Sequence, residues 1–330
     1  MFKQLVNRPI INELRTSFQP SPITHLPIQR TFRIPRRDPG ILTFNPGKKP
    51  FTLVFDGDKI PSQEGLLQAV TVSSLDEAAR YLLLLGESCE IFISNDYRKE
   101  NPEVYAEVRT LSYPSLRSAP PFDIETAADL MKKLPLDLKS LMKSNIAITA
   151  ADRLPRTIEK KFVHKKSDVN VLISEVFSRG RLLYFNMFNE TEELTFDHTS
   201  DHVQGMLMLE ALRQAAVATA HIQGLPFDGG LALLNYDTNF FHYLERDVPI
   251  ILRAYCSFTA DETSKDKEAP IYIQVIQWGK VCADATLKAF AFINSQHYQQ
   301  QKERVEKISS RSKIQFETKI NRILEAAPSI

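Results

Sequence analysis

Several features that would assign a function at sight are missing from this sequence of 330 residues. It has no excess of charge, since 41 lysines and arginines balance 40 aspartates and glutamates. No net field would therefore draw it to nucleic acid or to an anionic membrane surface. Its longest aliphatic run, Tyr81 to Leu85, is far too short to span a bilayer. We accordingly expect neither a nucleic-acid-binding protein nor a membrane protein.

Cysteine is also scarce. Cys89, Cys256 and Cys282 are widely spaced and odd in number, and no CxxC motif occurs. This pattern favours free thiols in a reducing compartment and supports neither a disulfide framework nor a zinc knuckle. The N-terminal segment MFKQLVNRPIINEL lacks the continuous apolar region of a secretory signal. The cytoplasm is the expected location, and we expect no cofactor.

The overall composition is typical of a soluble globular protein, with 43% apolar and 25% charged residues. The length suits two domains, or one domain with a large extension. Residues 1–50 hold eight of the nineteen prolines, a density that prevents regular helix. We predict that they form an extended arm that wraps another surface. Four arginines between Arg30 and Arg37 either bind phosphate or belong to a solvated loop, and we favour the loop.

Residues 51–157 are predicted to form an α+β region whose role the sequence does not reveal. Three segments have the composition of strands: FTLVFDG (51–57), CEIFISN (89–95) and EVYAEVRTLSY (103–113). Between the first two, SLDEAARYLLLLG predicts a helix with Ser74 as its N-cap and Gly86 at its end. After the paired prolines Pro120 and Pro121, two short helices are expected across 124–142. We find no catalytic constellation in this region.

Residues 158–295 combine one long helix with a set of predicted strands. The helix runs from about Val203 to Gln223. The strands are DVNVLISEVF (168–177), RLLYFNMFN (181–189), LALLNYDTNFF (231–241), VPIILRAYCSF (248–258), IYIQVIQW (271–278) and VCADATLKAFAFI (281–293). One helix among antiparallel strands predicts an α+β domain whose sheet curls around the helix, which is the hotdog fold. Residues 296–330 are predicted to form a polar helical tail that is exposed or faces a partner.

The long helix carries an unusual set of polar residues. In and beyond the stretch FDHTSDHVQGMLMLEALRQAA (196–216), the 3.6-residue period forms one polar stripe from Glu210, Arg213, Gln214 and His221. The stripe is either a solvent face or the lining of a cavity or subunit interface. We favour the lining, because a surface stripe of this length usually carries more charge. Alternatively, Glu210 is only a buried partner of Arg213, and His221 is a partner of the helix dipole.

Titratable groups also cluster where this helix begins. Gly205 lies in the first turn, where unpaired backbone amides and the helix dipole would polarise a thioester carbonyl. His198 and His202 have the pKa range suited to a general base. Together with Asp197 and Asp201 they are potential metal ligands, but a third well-spaced histidine is lacking and we expect no metal. Asp201 is also a candidate N-cap of the helix.

Two stretches of the chain resemble a known family. DHTSDHVQGMLMLEALRQAA (197–216) and VHKKSDVNVLISEV (163–176) are similar to the A-factor biosynthesis (AfsA) hotdog family, and the resemblance covers about residues 158–295. A weaker similarity extends to β-hydroxyacyl carrier-protein dehydratases, in which a histidine precedes a Gly-x-x-x-x-Glu-Ala helix.

The resemblance implies an enzyme that acts on acyl thioesters. Members of the family join a β-ketoacyl group from an acyl carrier protein to the hydroxyl of dihydroxyacetone phosphate, on the way to γ-butyrolactone signals. By motif position, His198 and Glu210 match the dehydratase-type catalytic pair, and His202 belongs to the rest of the family signature. One of the two histidines or Glu210 is expected to deprotonate the attacking hydroxyl, which makes all three candidate catalytic residues. The implied substrate-binding residues are Asp201, Gly205, Arg213 and Gln214, with Arg213 holding a phosphate or carboxylate.

The sequence departs from the family pattern in two ways. Members usually carry two hotdogs in tandem, whereas one clear copy is present here, and so a homodimer is expected. Thr199 and Gln204 replace prolines that are common in the loop before the helix.

The first functional hypothesis is transfer of a β-ketoacyl group from an acyl carrier protein or coenzyme A to a small hydroxyl acceptor, in signal or secondary-metabolite biosynthesis. The alternatives are a dehydratase or thioesterase on the same scaffold, and a non-catalytic acyl-binding or scaffold protein.

Overall fold

The computed structural model describes residues 41–42, 51–59, 68–111, 116, 120–136, 156–189, 191, 200–246, 248–259 and 265–326. All of these belong to one compact unit, Pro39–Ile330. Three sequence predictions fall wholly or largely outside the described residues: the proline-rich arm, the second of the two short helices expected across 124–142, and the placement of His198.

The N-terminal region is built around a small mixed sheet. Its elements are β1 (Ile41–Leu42), β2 (Phe51–Phe55), β3 (Gln68–Val72), α1 (Leu75–Leu85), β4 (Cys89–Phe92), α2 (Asn95–Glu100), α3 (Pro102–Val108) and α4 (Ile124–Lys133). The sheet order is β1-β4-β2-β3, with β2 parallel to both β3 and β4. The predicted cap of α1 is confirmed, because the Ser74 hydroxyl accepts a hydrogen bond from the backbone N–H of Glu77 at 3.1 Å.

The prediction of a strand over 103–113 was wrong. Residues Pro102–Val108 form helix α3 instead. Pro102 occupies the first turn, where its missing N–H leaves no helical hydrogen bond unmade and its fixed φ suits the helix. Val104, Tyr105 and Val108 then lie on one helical face and pack toward the core of this region. A helical spacing of apolar residues therefore outweighed the strand propensity of valine and tyrosine.

The C-terminal region has the predicted hotdog fold. Its elements are β5 (Phe177–Arg179), β6 (Leu182–Met187), α5 (Gly205–Ile222), β7 (Gly230–Phe240), β8 (Ile250–Cys256), β9 (Lys267–Gln277), β10 (Lys280–Phe292) and α6 (Ser295–Ala326). The six strands are antiparallel in the order β5-β6-β8-β9-β10-β7, and α5 packs across β6, β8, β9 and β10. The predicted helix, the enclosing sheet and five of the six predicted strands are confirmed, although β9 begins four residues earlier than predicted.

A regular strand over 168–177 was also predicted, and this was wrong for most of its length. A short 3-10 turn covers Asp168–Asn170, and only isolated bridges, such as Ile173 with Met187, precede β5. The physical reason lies in the helix. The side chain of Gln214 accepts a hydrogen bond from Leu172 N–H and donates one to the Asn170 carbonyl, both at 2.8 Å. Backbone groups that would pair in a strand are bonded to a helix side chain instead.

Strands β6 and β8 of the hotdog sheet are buried on both faces, and they separate two hydrophobic cores. Leu183 and Phe185 of β6 point to the core around α5, whereas Leu182 and Tyr184 point to the core of the N-terminal region. All residues of β6 and of β8 are buried. This two-sided burial explains why these strands read as continuous apolar runs rather than as alternating ones. The N-terminal region thus covers the outer face of the sheet, and its parallel strand pairs differ from those of a hotdog.

Close backbone contacts fix the two regions together. Gly180 has φ +58°, and a Cβ there would lie 2.4 Å from the Leu84 carbonyl oxygen. The next residue, Arg181, donates its backbone N–H to that same oxygen at 2.8 Å. The fully buried Arg253 of β8 donates to Gln274 at 2.6 Å and to the Met131 carbonyl at 3.1 Å. The turn at Gly180 is therefore also the point where the N-terminal region docks on the hotdog domain.

Candidate functional site

Glu210 is the centre of an ion-pair network on α5. Arg213 donates two hydrogen bonds to the Glu210 carboxylate, with Nε 2.7 Å from one oxygen and Nη2 2.7 Å from the other. Lys165 places its Nζ 2.8 Å from Oε1, and Gln214 donates to the same oxygen at 3.0 Å. The Glu210 side chain is 19% exposed and that of Lys165 only 10%. The carboxylate is thus held by two cations and an amide in a half-buried position.

The ion pairs determine the protonation state of Glu210. Burial by itself would raise the pKa of this carboxyl, but the hydrogen bonds from Arg213, Lys165 and Gln214 outweigh burial and lower the pKa to about 2. Glu210 is therefore ionised at neutral pH, and a carboxylate with so low a pKa is a weak proton acceptor.

Gln214, predicted to bind substrate, has a buried side chain with every polar atom engaged. Its amide holds Asn170, Leu172 and Glu210, and its exposed fraction is 0%. Arg213 extends the same contact, since its Nη2 donates to the Val163 carbonyl at 3.3 Å. The predicted polar stripe is therefore covered by the chain's own segment 163–172. Binding of substrate by Gln214 stays a prediction, and its contacts favour a role in fixing that segment.

The far end of the stripe is a histidine pair. His221 is buried, and its Nδ1 lies 2.9 Å from the Leu225 carbonyl oxygen, so this nitrogen carries the proton. Its Nε2 lies 2.8 Å from Nε2 of His164 and accepts that ring's proton. Burial lowers the pKa of both rings, and His221 and Arg213 lower that of His164 further. The geometry suits two neutral imidazoles, because a second proton on His221 would set two N–H groups against each other.

The entrance to α5 differs in kind from the stripe. Nδ1 of His202 lies 2.9 Å from Oδ1 of Asp201 and 3.0 Å from the Ser200 hydroxyl. The hydrogen bond from His202 lowers the pKa of Asp201, whose side chain is fully exposed. The His202 side chain is 42% exposed, and the loop is tied down by a hydrogen bond from Val203 N–H to the Leu244 carbonyl at 2.9 Å. An exposed histidine on an anchored loop is available to a reactant.

The first turn of α5 lies beside this histidine. Asp201 is not the N-cap, as one alternative had it; Gln204 occupies that position, and its side chain makes no capping hydrogen bond. A Cβ added to Gly205 would meet no atom of the described residues within 4 Å. No described residue therefore crowds the Cβ position of the first helical residue, where backbone amides point out of the helix. These amides and His202 form the part of the predicted site that faces outward.

Two residues of this neighbourhood were missed by sequence reasoning. Lys165 belongs to the VHKKSDV stretch that carried part of the family resemblance, and its basic character was the available signal. Tyr236 of β7 donates its hydroxyl to the Leu209 carbonyl at 2.6 Å and ties the helix to the edge strand. An isolated tyrosine in a strand gives no such signal.

The described residues were also compared with the requirements of a metal site, a membrane-spanning helix and a disulfide. Among the described residues, no group of three or more His, Cys, Asp or Glu side chains is placed to hold a metal ion. The same part of the chain contains no helix with the length and apolar character needed to cross a membrane. Its three cysteines are free thiols, all buried.

One family of known proteins is similar to the hotdog domain. The model of the A-factor biosynthesis hotdog domain matches residues 146–293, which confirms the resemblance inferred from the sequence. No curated protein matches the chain significantly.

Solved hotdog structures are also similar to this domain. A phenylacetic acid degradation-related protein of Ralstonia eutropha JMP134 is 19% identical, with 36% of this chain and 82% of that chain covered and a TM-score of 0.28. A hypothetical thioesterase of Streptococcus pneumoniae TIGR4, solved with coenzyme A, is 11% identical, with 36% and 86% covered and a TM-score of 0.27. Structural likeness at this level says nothing of activity.

Proposed function

We propose that the hotdog domain is an acyl-thioester enzyme that transfers a β-ketoacyl group from an acyl carrier protein or coenzyme A to a small hydroxyl acceptor, such as dihydroxyacetone phosphate, in signal or secondary-metabolite biosynthesis. The observation that carries the proposal is the entrance to α5, where an exposed histidine paired with a carboxylate stands beside an open helix N-terminus. The match to the A-factor biosynthesis domain supports the choice of substrate class.

His202 is the proposed proton acceptor. When its Nδ1–H is bonded to Asp201, the ring's Nε2 carries a lone pair that takes the proton of the acceptor hydroxyl. The hydroxyl oxygen then forms a bond to the thioester carbon, and the carbonyl oxygen becomes an oxyanion. The amides at Gly205 and the next residue of the first turn stabilise that charge. Collapse of the intermediate breaks the carbon–sulfur bond, and the departing thiolate takes the proton from His202.

The stripe supplies charge rather than proton transfer in this proposal. Glu210 was predicted to be catalytic, but its low pKa makes it the weaker base, and we assign the proton to His202. Two cations, Lys165 and Arg213, hold this carboxylate. The family resemblance assigns a phosphate or carboxylate of the substrate to Arg213, and this assignment stays a prediction.

A non-catalytic acyl-binding protein is the second candidate, and one observation favours it. The carboxylate that the family pattern implies as catalytic is fully occupied by Arg213, Lys165 and Gln214. In a non-catalytic protein of this kind, Glu210 would stabilise the fold and would not take part in a reaction.

Product analysis separates the candidates. The pure protein is incubated with a β-ketoacyl carrier protein, with and without dihydroxyacetone phosphate, and separately with a β-hydroxyacyl carrier protein. Mass spectrometry of an acyl-transfer enzyme shows the ester only when the acceptor is present. Free acid without acceptor would indicate a thioesterase, and loss of water from the hydroxyacyl substrate a dehydratase. Bound but unchanged thioester in every reaction would contradict the enzyme proposal and support acyl binding.

We also propose a homodimer formed along β7. This strand lies at the edge of the sheet, and it exposes Leu233 and Leu234 by 55% and 58%. A long apolar edge of this kind is a template for pairing with a second copy. The change Leu234→Asp should weaken the dimer, which sedimentation velocity measures as a higher dissociation constant. Trp278→Asp, at an exposed position in the β9–β10 turn, is the matched control and should not; equal behaviour of the two variants would contradict this interface.

A further inference from the structure

Helix α6 is unusual in being exposed along almost its whole length. It spans Ser295–Ala326, and every residue from Lys302 to Glu325 is exposed. Its first turn is anchored: the ring of Tyr298 covers Gly230, where a Cβ would lie 2.3 Å from a ring atom. His297 also bonds Asp266 just before the exposed part. From Lys302 onward the helix is not buried by any other described residue.

The projecting part carries an apolar stripe. Successive residues turn by about 100° around a helix, and so five apolar side chains fall within an arc of roughly 120°: Val305, Ile308, Phe316, Ile320 and Ile323. Their exposed fractions are 63%, 54%, 65%, 37% and 55%. The stripe is about 27 Å long at 1.5 Å per residue. Helices in proteins gain most of their stability from packing such a face, and this one lacks that packing among the described residues.

The two flanks of the stripe differ in charge. By the same 100° rotation, Arg304, Arg311 and Arg322 lie on one side, and Glu306 and Glu317 lie on the other. Lys313 also lies on the glutamate side, with its Nζ 3.9 Å from Glu317. When two copies of the helix face each other in parallel, the arginine flank of one lies along the glutamate flank of its partner. An antiparallel pair would instead set arginine against arginine. Opposite charges beside an apolar seam determine the partner and the orientation of paired helices.

We propose that α6 pairs in parallel with α6 of a second copy of this chain, with the stripe as the seam and Arg311 of each copy near Glu317 of its partner. The pairing does not depend on the proposed enzymatic function. It joins two protomers through an element outside the hotdog fold, and its strength adds to any contact between the hotdog sheets.

Cysteine cross-linking of the full chain tests the proposal. Val305→Cys places a thiol on the seam, and Ile314→Cys places one on the opposite face at nearly the same exposure, 62%. The native cysteines are buried and do not compete. Mild oxidation should join two Val305→Cys copies at least about tenfold more efficiently than two Ile314→Cys copies. Equal cross-linking, no cross-linking, or joining of Val305→Cys only to Ile323→Cys in a mixture would overturn the parallel pair.

Charge reversal tests the flanks independently. Arg311→Glu and Glu317→Arg should each reduce cross-linking through Val305→Cys several-fold, because each sets like charges side by side. The double variant should restore it, and failure of that rescue would overturn the charge argument. Sedimentation with phosphatidylserine vesicles tests the alternative that the stripe contacts a lipid surface. The proposal would be overturned if the wild-type protein sediments with the vesicles, Ile323→Asp abolishes this binding, and Val305→Cys forms no cross-link.

Discussion

The two polar regions of α5 are opposites in how their charges are satisfied. In the stripe, Glu210 is held by Arg213, Lys165 and Gln214 and is 19% exposed. At the entrance, His202 has one carboxylate partner and a side chain that is 42% exposed. Both carry the residue types that acyl chemistry uses. The two regions therefore offer a substrate different things. The hydrogen-bonding groups around Glu210 are already engaged with one another and stabilise the fold, whereas His202 keeps a ring nitrogen that a substrate can reach.

The largest effect is expected at the entrance. His202→Asn removes the proposed proton acceptor from an exposed loop position, and so turnover should fall by about 100- to 10,000-fold with little change in melting temperature. His297→Asn is the matched control, since it removes another part-exposed histidine paired with an aspartate. Steady-state rates of the two variants on the same thioester decide the matter, and equal rates would remove His202 from the mechanism.

The stripe should respond in the opposite way. Glu210→Gln keeps the shape but leaves Lys165 and Arg213 without their counter-charge, and the free energy of unfolding should fall by roughly 3 kcal/mol. Turnover per folded molecule should stay near normal. Denaturant unfolding and rate measurement on one preparation test this. Lost turnover at an unchanged melting temperature would instead restore the catalytic role that the sequence predicted for Glu210.

The pH dependence of stability checks the same carboxylate. The folded-state pKa of Glu210, about 2, lies below its ordinary value of 4.5. Its ionised form therefore stabilises the fold fully above pH 4.5, and this stabilisation is lost as the pH falls toward 2. The difference in stability between wild type and Glu210→Gln should shrink over that interval. A constant difference would mean that the ion pairs contribute nothing.

A smaller effect is expected at Gly205. Alanine fits the open space there and favours helix, so Gly205→Ala should raise the free energy of unfolding by up to about 0.5 kcal/mol. If the first-turn amides receive the thioester oxygen, the added methyl group should reduce turnover by about tenfold. A variant that is more stable and equally active would place the thioester elsewhere.

The histidine pair should give the smallest change. Burial lowers the pKa of His164 and of His221 below the usual 6.5, so the unfolded chain binds more protons. The contribution of the two neutral rings to the free energy of unfolding is complete above pH 6.5. It is lost as the pH falls through their lowered folded-state pKa values. Urea unfolding of wild type should therefore weaken from pH 7.5 to pH 5 more than that of His164→Gln. Parallel pH profiles would show that the pair does not titrate on unfolding.

The sequence by itself determined the elements whose signals are local. Ser74 caps α1, and α5 was predicted as 203–223 and spans 205–222, because caps and apolar periodicity are read from neighbouring residues. The motif beginning with Asp197-His198 and most of the individual strands around α5 likewise follow from local composition. Local patterns were therefore enough for the hotdog fold and for most polar residues of the candidate site, although Lys165 and Tyr236 were missed.

Only the tertiary structure decided what those residues touch. Gln214 bonds to a segment more than forty positions away and replaces the strand pairing predicted there. Lys165 reaches Glu210 across a similar separation and converts a candidate base into the centre of an ion-pair network. Hydrogen bonds and ion pairs between distant residues depend on how the chain folds back on itself, and a one-dimensional pattern carries no signal for them. For that reason the sequence named the polar groups of α5, and the fold determined which of them remain open to a substrate.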